Sequence, residues 1–340
     1  YAYDRAGQLT SASFASTNAQ IGNQSYALSY DAAGNRTFVT INGALNDYGS
    51  NSLNQYTRAN SVDYSYDAAG NLLFDGTRAY AYDDRDRLVR VESGGDVFQF
   101  EYNAFGNRSA AIVNGVRTEY FVAPGPLGDV LAEFDAGGNL LARNVHGQGI
   151  VARAVGAGGA LHFFDFDQSG STAGLTGPAG AYANRYAYDP FGQSLFSQES
   201  IANPYRFIGE GGVRETGVAG LLRMGARDYS AADGRFTTAD PLGFAGDTNA
   251  YRYAYNAPTL FVDTTGLRGT RYHLNPHRPL TPKPSVPVPD DESKIVEFAK
   301  DVAKDEFKDR LLGEKSGWPT LDDLADTIID NLNPIPDAGD

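Results

Sequence analysis

The chain has no cysteine. That excludes a disulfide framework and a thiolate metal site. It has one methionine, one tryptophan and four histidines in 340 residues. His146 and His162 stand alone. His273 and His277 are four apart, but Pro276 lies between them and breaks the helix that would put both on one face, so no metal centre is expected. No apolar run approaches the roughly 20 residues of a membrane-spanning helix, and the N-terminus, which falls inside a repeat, is not one that could show a signal peptide. Positive charge is short: 28 Lys and Arg stand against 42 Asp and Glu, a net charge of −14. That balance disfavours nucleic acid or an anionic membrane as partner of the whole chain. The glycine-rich stretch 146–180 is not followed by Lys-Ser/Thr, so no phosphate loop and no cofactor are expected. Asp165-Phe166-Asp167-Gln168-Ser169-Gly170 begins like a calcium loop, but Thr176 stands where a bidentate Glu is needed, which rejects an EF-hand.

What the chain does have is a repeat. Tyr30-Asp31-Ala32-Ala33-Gly34-Asn35 returns unchanged as Tyr66-Asp67-Ala68-Ala69-Gly70-Asn71. Looser copies begin at Tyr3, Tyr102, Phe134 and Tyr188. The first of these opens the chain partway through a unit, so a longer polypeptide is expected. Before the turns, large aromatics fall at every second position, as in Tyr64-Ser65-Tyr66 and Phe98-Gln99-Phe100-Glu101-Tyr102. That is strand period, with the aromatics on one face. Asp can accept backbone N–H groups two or more residues on, Gly supplies positive φ, and Asn tolerates that region. Each copy therefore reads as the tip of a hairpin, and Tyr1 to about Tyr255 as a long antiparallel meander.

Composition divides the chain into sections. Residues 1–200 carry the repeats. Residues 201–267 hold a dense series of arginines, Arg206, Arg214, Arg223, Arg227, Arg235 and Arg252, among acidic residues. Residues 268–290 are rich in proline and read as a stiff linker. Residues 291–340 read as helical: one helix from about Glu292 to Leu312 capped by Gly313, and a second from Thr320 to Leu332 stopped by Asn333-Pro334.

The turn copies, together with Tyr188-Asp189-Pro190-Phe191-Gly192, Asn203-Pro204-Tyr205-Arg206-Phe207 and Asp240-Pro241-Leu242-Gly243, resemble the Rhs/YD-repeat proteins. These include bacterial Rhs polymorphic toxins, the C component of the Tc insecticidal toxin complexes, and the animal teneurins. The resemblance covers about residues 1–267. It implies a mainly β fold: a continuous antiparallel strip coiling into part of a hollow shell, closed by a plug called the Rhs-associated core, with a small helical tail beyond. It also implies partners. The chain's own C-terminal segment would be the cargo, and the rest of the shell, an N-terminal part or a B-type component, would complete the wall. Secretion or display at the cell surface by bacterial export follows from the same resemblance.

The resemblance further implies that the core cuts its own chain, using two Asp and an Arg. Matched residue by residue, these fall on Asp240, on Asp263 in Asp263-Thr264-Thr265-Gly266-Leu267, and on Arg227 in Arg227-Asp228-Tyr229. The implied scissile bond is Leu267–Arg268. The residue types suit an intramolecular, single-turnover aspartyl reaction. Two carboxylates held close split their pKa values, so one serves as base and the other as acid, while a guanidinium orients them. Thr264 departs from the family pattern, which has Pro there and so restrains the preceding Asp. Two other readings stand beside self-cleavage: a non-catalytic adhesion module with cleavage lost, and a toxic activity in residues 268–340.

Overall fold

The computed structural model describes residues 1–123 and 128–271. The helices expected beyond Glu292, the proline-rich linker and His273 and His277 lie outside the described residues. The described chain is mainly β. Ala2–Tyr3 through Val62–Asp63 form a seven-stranded sheet, and Ser65–Tyr66 through Ser194–Glu199 a fourteen-stranded one. Every neighbour in both sheets is the next strand in sequence. The strip is interrupted once, at Tyr64, whose N–H turns to Thr57 O at 2.9 Å and whose hydroxyl donates to Asp233 Oδ1 at 2.9 Å.

The meander ends at Glu199, not near Tyr255 as the sequence suggests. Residues 200–267 carry turns too closely spaced for long strands, and they build a small four-stranded sheet, Arg214–Glu215, Leu221–Met224, Arg227–Ser230 and Arg235–Phe236. All four residues of Leu221–Met224 and of Arg227–Ser230 are buried. This sheet lies against the aromatic faces of both larger sheets. Leu9, Tyr26, Leu28 and Val39 of the first pack with Phe207, Met224, Tyr229 and Tyr253. Tyr80, Phe98 and Phe100 of the second pack with Val218 and Leu221. The period-two aromatics therefore face inward onto the plug.

The repeated turn has one geometry. Asp31 Oδ1 accepts the N–H groups of Ala33 and Asn35 at 2.9 and 2.8 Å, and Oδ2 accepts the Asn35 side-chain amide at 2.9 Å. The Asp31 N–H holds the Asn35 carbonyl at 2.9 Å. Gly34 supplies φ of 79°, the left-handed conformation that costs glycine little. The asparagine is thus a side-chain donor; the left-handed residue is the glycine before it. The same bonds recur from Asp4, Asp67 and Asp135.

Three further copies escape the sequence pattern. In Asn51–Gln55 and Asp83–Arg87 the glycine position is held by Asn54 and Asp86, at φ 63° and 58°. Asn and Asp are the residues best able to replace Gly there. The third, Asp167–Ser171, is the stretch that begins like a calcium loop; Asp167 Oδ1 accepts Ser169 N and Ser171 N at 2.8 and 3.0 Å.

In a meander, successive connections alternate between two edges. The turns starting at Asp4, Asp31, Asn51, Asp67, Asp83, Asn103, Asp167 and Asp189 fall along one edge, and that starting at Asp135 along the other. The plug docks on the first edge. Asn256 Nδ2 donates to Gln8 Oε1 and Gly34 O, Asn249 Nδ2 to Asn35 Oδ1, and the Tyr251 hydroxyl to Gly70 O, all at 2.7–2.9 Å. Asn256 reaches its partners at the end of three consecutive left-handed residues, Ala254, Tyr255 and Asn256, φ 47°, 56° and 58°, a strain of about 1–3 kcal/mol per residue that the docking offsets. At the other end, Glu210 N donates to Gly170 O at 3.0 Å and Tyr229 OH to Phe191 O at 2.8 Å. The plug thus holds the first and last turns of the strip together.

Candidate active site

Two tight turns interlock to make the site. Met224 pairs with Arg227 across a hairpin whose Gly225 sits at φ 49°. Ala226 N donates to Thr265 O at 2.8 Å. A Cβ on Gly225 would fall 2.2 Å from Thr265 O, and one on Gly266 2.3 Å from Met224 O. Glycine at both places lets the 263–267 turn press into the hairpin, with Gly266 at φ 66°.

That contact places Arg227, itself buried, at the centre. Its Nη2 lies 2.9 Å from Asp240 Oδ2 and 3.7 Å from Asp263 Oδ2. Its Nη1 donates to Ala250 O at 2.8 Å, and its Nε donates to Gly266 O. The guanidinium lies 3.6 Å over the Phe236 ring, a stacking that arginine's flat cation favours. Burial pulls its pKa down to about 10 against the raising influence of Asp240 and Asp263. Asp240 begins a short turn: Leu242 N donates to its Oδ1 at 2.8 Å, and Gly243 N to its carbonyl at 2.9 Å. Asp263 Oδ1 accepts Thr265 Oγ1 at 3.0 Å and Leu267 N at 3.1 Å.

Both carboxylates are buried, with relative exposures of 8% at Asp240 and 2% at Asp263. One guanidinium faces both of them, and a second carboxylate in a site away from water raises a carboxyl's pKa. Asp240 carries the sign of this. Burial pushes its pKa up, the charges of Asp263 and Asp247 add to the rise, and Arg227 opposes it.

The carbonyl of Leu267 closes the site. A Cβ on Gly246 would lie 2.7 Å from Asp240 Oδ2 and 3.1 Å from Leu267 O. Carbonyl and carboxylate thus face one small space that stays open because residue 246 has no side chain. Arg268 is exposed, and Thr270–Arg271 pairs with Phe261–Val262. The chain therefore leaves the site along a strand edge. Thr264, where the family pattern has Pro, rests its methyl on Gly211: a Cβ there would come within 2.4 Å of Thr264 Cγ2. Packing, not a ring, restrains this residue.

The structure brings Asp240, Asp263, Arg227 and Leu267 together. Sequence reasoning missed Gly225 and Gly246. Their contacts are with residues 265–267 and 240, and nothing in their own neighbourhood marks them. The other arginines of this section pair elsewhere. Asp228 holds both Arg223 and the wall residue Arg108 at 3.0 Å, and Arg252 pairs with Asp247 at 2.6 Å.

A capped-turn meander coiled about a buried plug defines a YD-repeat shell. Residues 1–259 match the teneurin YD-shell family, and the chain belongs to that family. It is similar to the tRNA nuclease WapA of Bacillus subtilis, 32% identical over 251 residues, covering 70% of this chain and 11% of WapA. It is also similar to the toxin protein Tse5 of Pseudomonas aeruginosa, 35% identical over 123 residues, covering 36% of this chain and 9% of Tse5. The chain thus spans about a tenth of the length of these relatives. Among solved structures, the Tc holotoxin pore of Photorhabdus luminescens shares the fold, with a TM-score of 0.60 and 17% identity over 79% of this chain and 15% of that one. The resemblance to Rhs-type toxins and Tc toxin components therefore holds at the level of sequence family and fold. Among the described residues, no helix is long and apolar enough to cross a membrane.

Proposed function

We propose that this chain is the closing part of a toxin-type shell, that residues 201–267 are its plug, and that the plug cuts its own chain between Leu267 and Arg268. The observation that carries this is the convergence of Asp240 and Asp263 on one nitrogen of Arg227, beside the Leu267 carbonyl. Asp263 is the base and takes a proton from water as the water oxygen bonds to the Leu267 carbonyl carbon. Asp240, whose pKa is raised, is the acid and gives its proton to the carbonyl oxygen. When the tetrahedral intermediate collapses, that proton returns to Asp240. The C–N bond breaks, and Asp263 passes its proton to the departing Arg268 nitrogen. The products are a Leu267 carboxylate and a free segment beginning at Arg268. The enzyme turns over once, on itself.

In this reading residues 268–340 are the cargo or its leading part, and the remaining shell, from the same polypeptide or a B-type component, completes the enclosure. Relatives named as a nuclease and a toxin support a delivery role outside the producing cell. The test is the intact mass of the purified protein beside Asp240→Asn and Asp263→Asn. A cut at Leu267–Arg268 in the parent and none in either variant is expected. One uncut species in all three would leave a shell module without cleavage, which is the adhesion reading.

A further inference from the structure

The 263–267 turn shares the plan of the wall turn but not all of its bonds. Like Asp31 and Asp67, Asp263 opens a five-residue turn with glycine fourth, at φ 66° against 79° and 90°. In all three, the fifth residue's N–H donates to the first residue's Oδ1, at 3.1 Å from Leu267 and 2.8 Å from Asn35 and Asn71. In the wall turns opened by Asp31, Asp67, Asp4 and Asp83, the fifth residue also sends a side-chain donor to Oδ2: Asn35, Asn71 and Gln8 by their amides at 2.9 Å, and Arg87 by its guanidinium at 2.8 Å; Ser171 and Gln193 send none to Asp167 and Asp189. Leu267 has no such donor. Asp263 Oδ2 is left facing Arg227 at 3.7 Å. The Leu267 carbonyl faces Gly246 beside Asp240, whereas the Asn35 carbonyl is tied to the Asp31 N–H at 2.9 Å.

We infer that the Leu267 side chain is a positioning element. By offering no hydrogen bond, it keeps the reactive oxygen of Asp263 uncapped, unlike that of Asp4, Asp31, Asp67, Asp83 and Asp135. The inference rests on the self-cleavage reading for its consequence, but not for its geometry. Asparagine nearly matches leucine in shape, since both branch at Cγ, so Leu267→Asn adds an amide with little change of volume. The added amide takes Asp263 Oδ2 as Asn35 takes Asp31 Oδ2.

Two measurements test this. The first is the rate of the cut, followed by intact mass after refolding. Leu267→Asn should slow it by at least about 100-fold, the usual worth of a general base. Leu267→Met, which has no amide and similar volume, should stay within about tenfold. Loss of the cut to the same degree in both would mean that leucine is recognised by its packing, and would overturn the inference. The second measurement needs no cleavage. In the Asp240→Asn background, the side-chain amide introduced by Leu267→Asn should exchange with solvent slowly, as a bonded amide does. Exchange at the rate of a free asparagine would overturn the capping claim. A parent that never cuts, with a protected amide, would reject self-cleavage while leaving the turn comparison standing.

Discussion

The edge of the wall and the heart of the plug use the same five-residue turn for opposite ends. In the wall turns opened by Asp4, Asp31, Asp67 and Asp135, the first residue spends both carboxylate oxygens on its own turn, as Asp67 does on Ala69 N, Asn71 N and Asn71 Nδ2. Such a group is satisfied, and its work is structural. In the plug, Asp240 and Asp263 keep one oxygen for the turn and present the other to Arg227. The difference lies in the fifth position and in burial. A turn residue that holds strands together in the wall thus leaves, in the plug, one buried carboxylate oxygen facing a cation.

The comparison breaks most sharply at Arg227. Arg227→Met removes the one cation between two buried carboxylates, and the cut should fall by at least about 100-fold, read by intact mass on folded protein. The rate of the parent should also fall as pH rises through the raised pKa of Asp240, because the acid then loses its proton. A rate that rises across that range would reverse the assignment of the two roles, and a flat one would remove Asp240 from the step.

The next effect lies where wall and plug share charge. Asp228→Ala strands the buried Arg108 and Arg223. It should cost about 3–5 kcal/mol in urea unfolding, the penalty for an uncompensated buried ion.

Asp189 is a wall turn that is itself buried. Burial pushes its pKa up to about 6, against the bonds from Gln193 N and Phe191 N, which pull it down. A value raised in the folded state gives stability that is full below the unfolded value near 3.8 and is lost as pH rises through 6. Asp189→Asn keeps the acceptor, as Asn103 does in its own turn. It should therefore match the parent at pH 4 and exceed it at pH 7 by about 2–3 kcal/mol, at 1.36 kcal/mol per pKa unit. A gain equal at both pH values would mean that charge is not the cause.

The smallest effect compares the two edges. Asp67→Ala loses bonds beside the plug and should cost about 1–2 kcal/mol. Asp135→Ala loses the same bonds at the open edge, where water replaces them, and should cost less. Equal losses in thermal unfolding would show that docking on the plug adds nothing to a turn.

The wall was legible in the sequence because its signal is local: Asp, Gly and Asn at fixed spacing, flanked by aromatics at period two. It faded where Asn54 and Asp86 took the glycine position, since the pattern then lacks the residue that marks it. The meeting of Asp240, Asp263 and Arg227 was legible only through family resemblance, because carboxylates 23 residues apart in sequence carry no local sign of it. Gly225 and Gly246 were not legible at all. Their value is the absence of a Cβ at a contact that only the folded chain creates.

The bonds from Asn256 to Gln8 and from Asn249 to Asn35 span 248 and 214 residues. Contacts of such separation form late, after the local hairpins. The turn from Asp263 to Leu267 follows Asn256 by 7 residues and Asn249 by 14, so the proposed cutting site is assembled among the last pieces of the fold. On the proposed reading, cleavage then marks the completion of the fold. In a refolding time course, the cut should lag behind recovery of β structure, and Asn256→Ala should lengthen the lag.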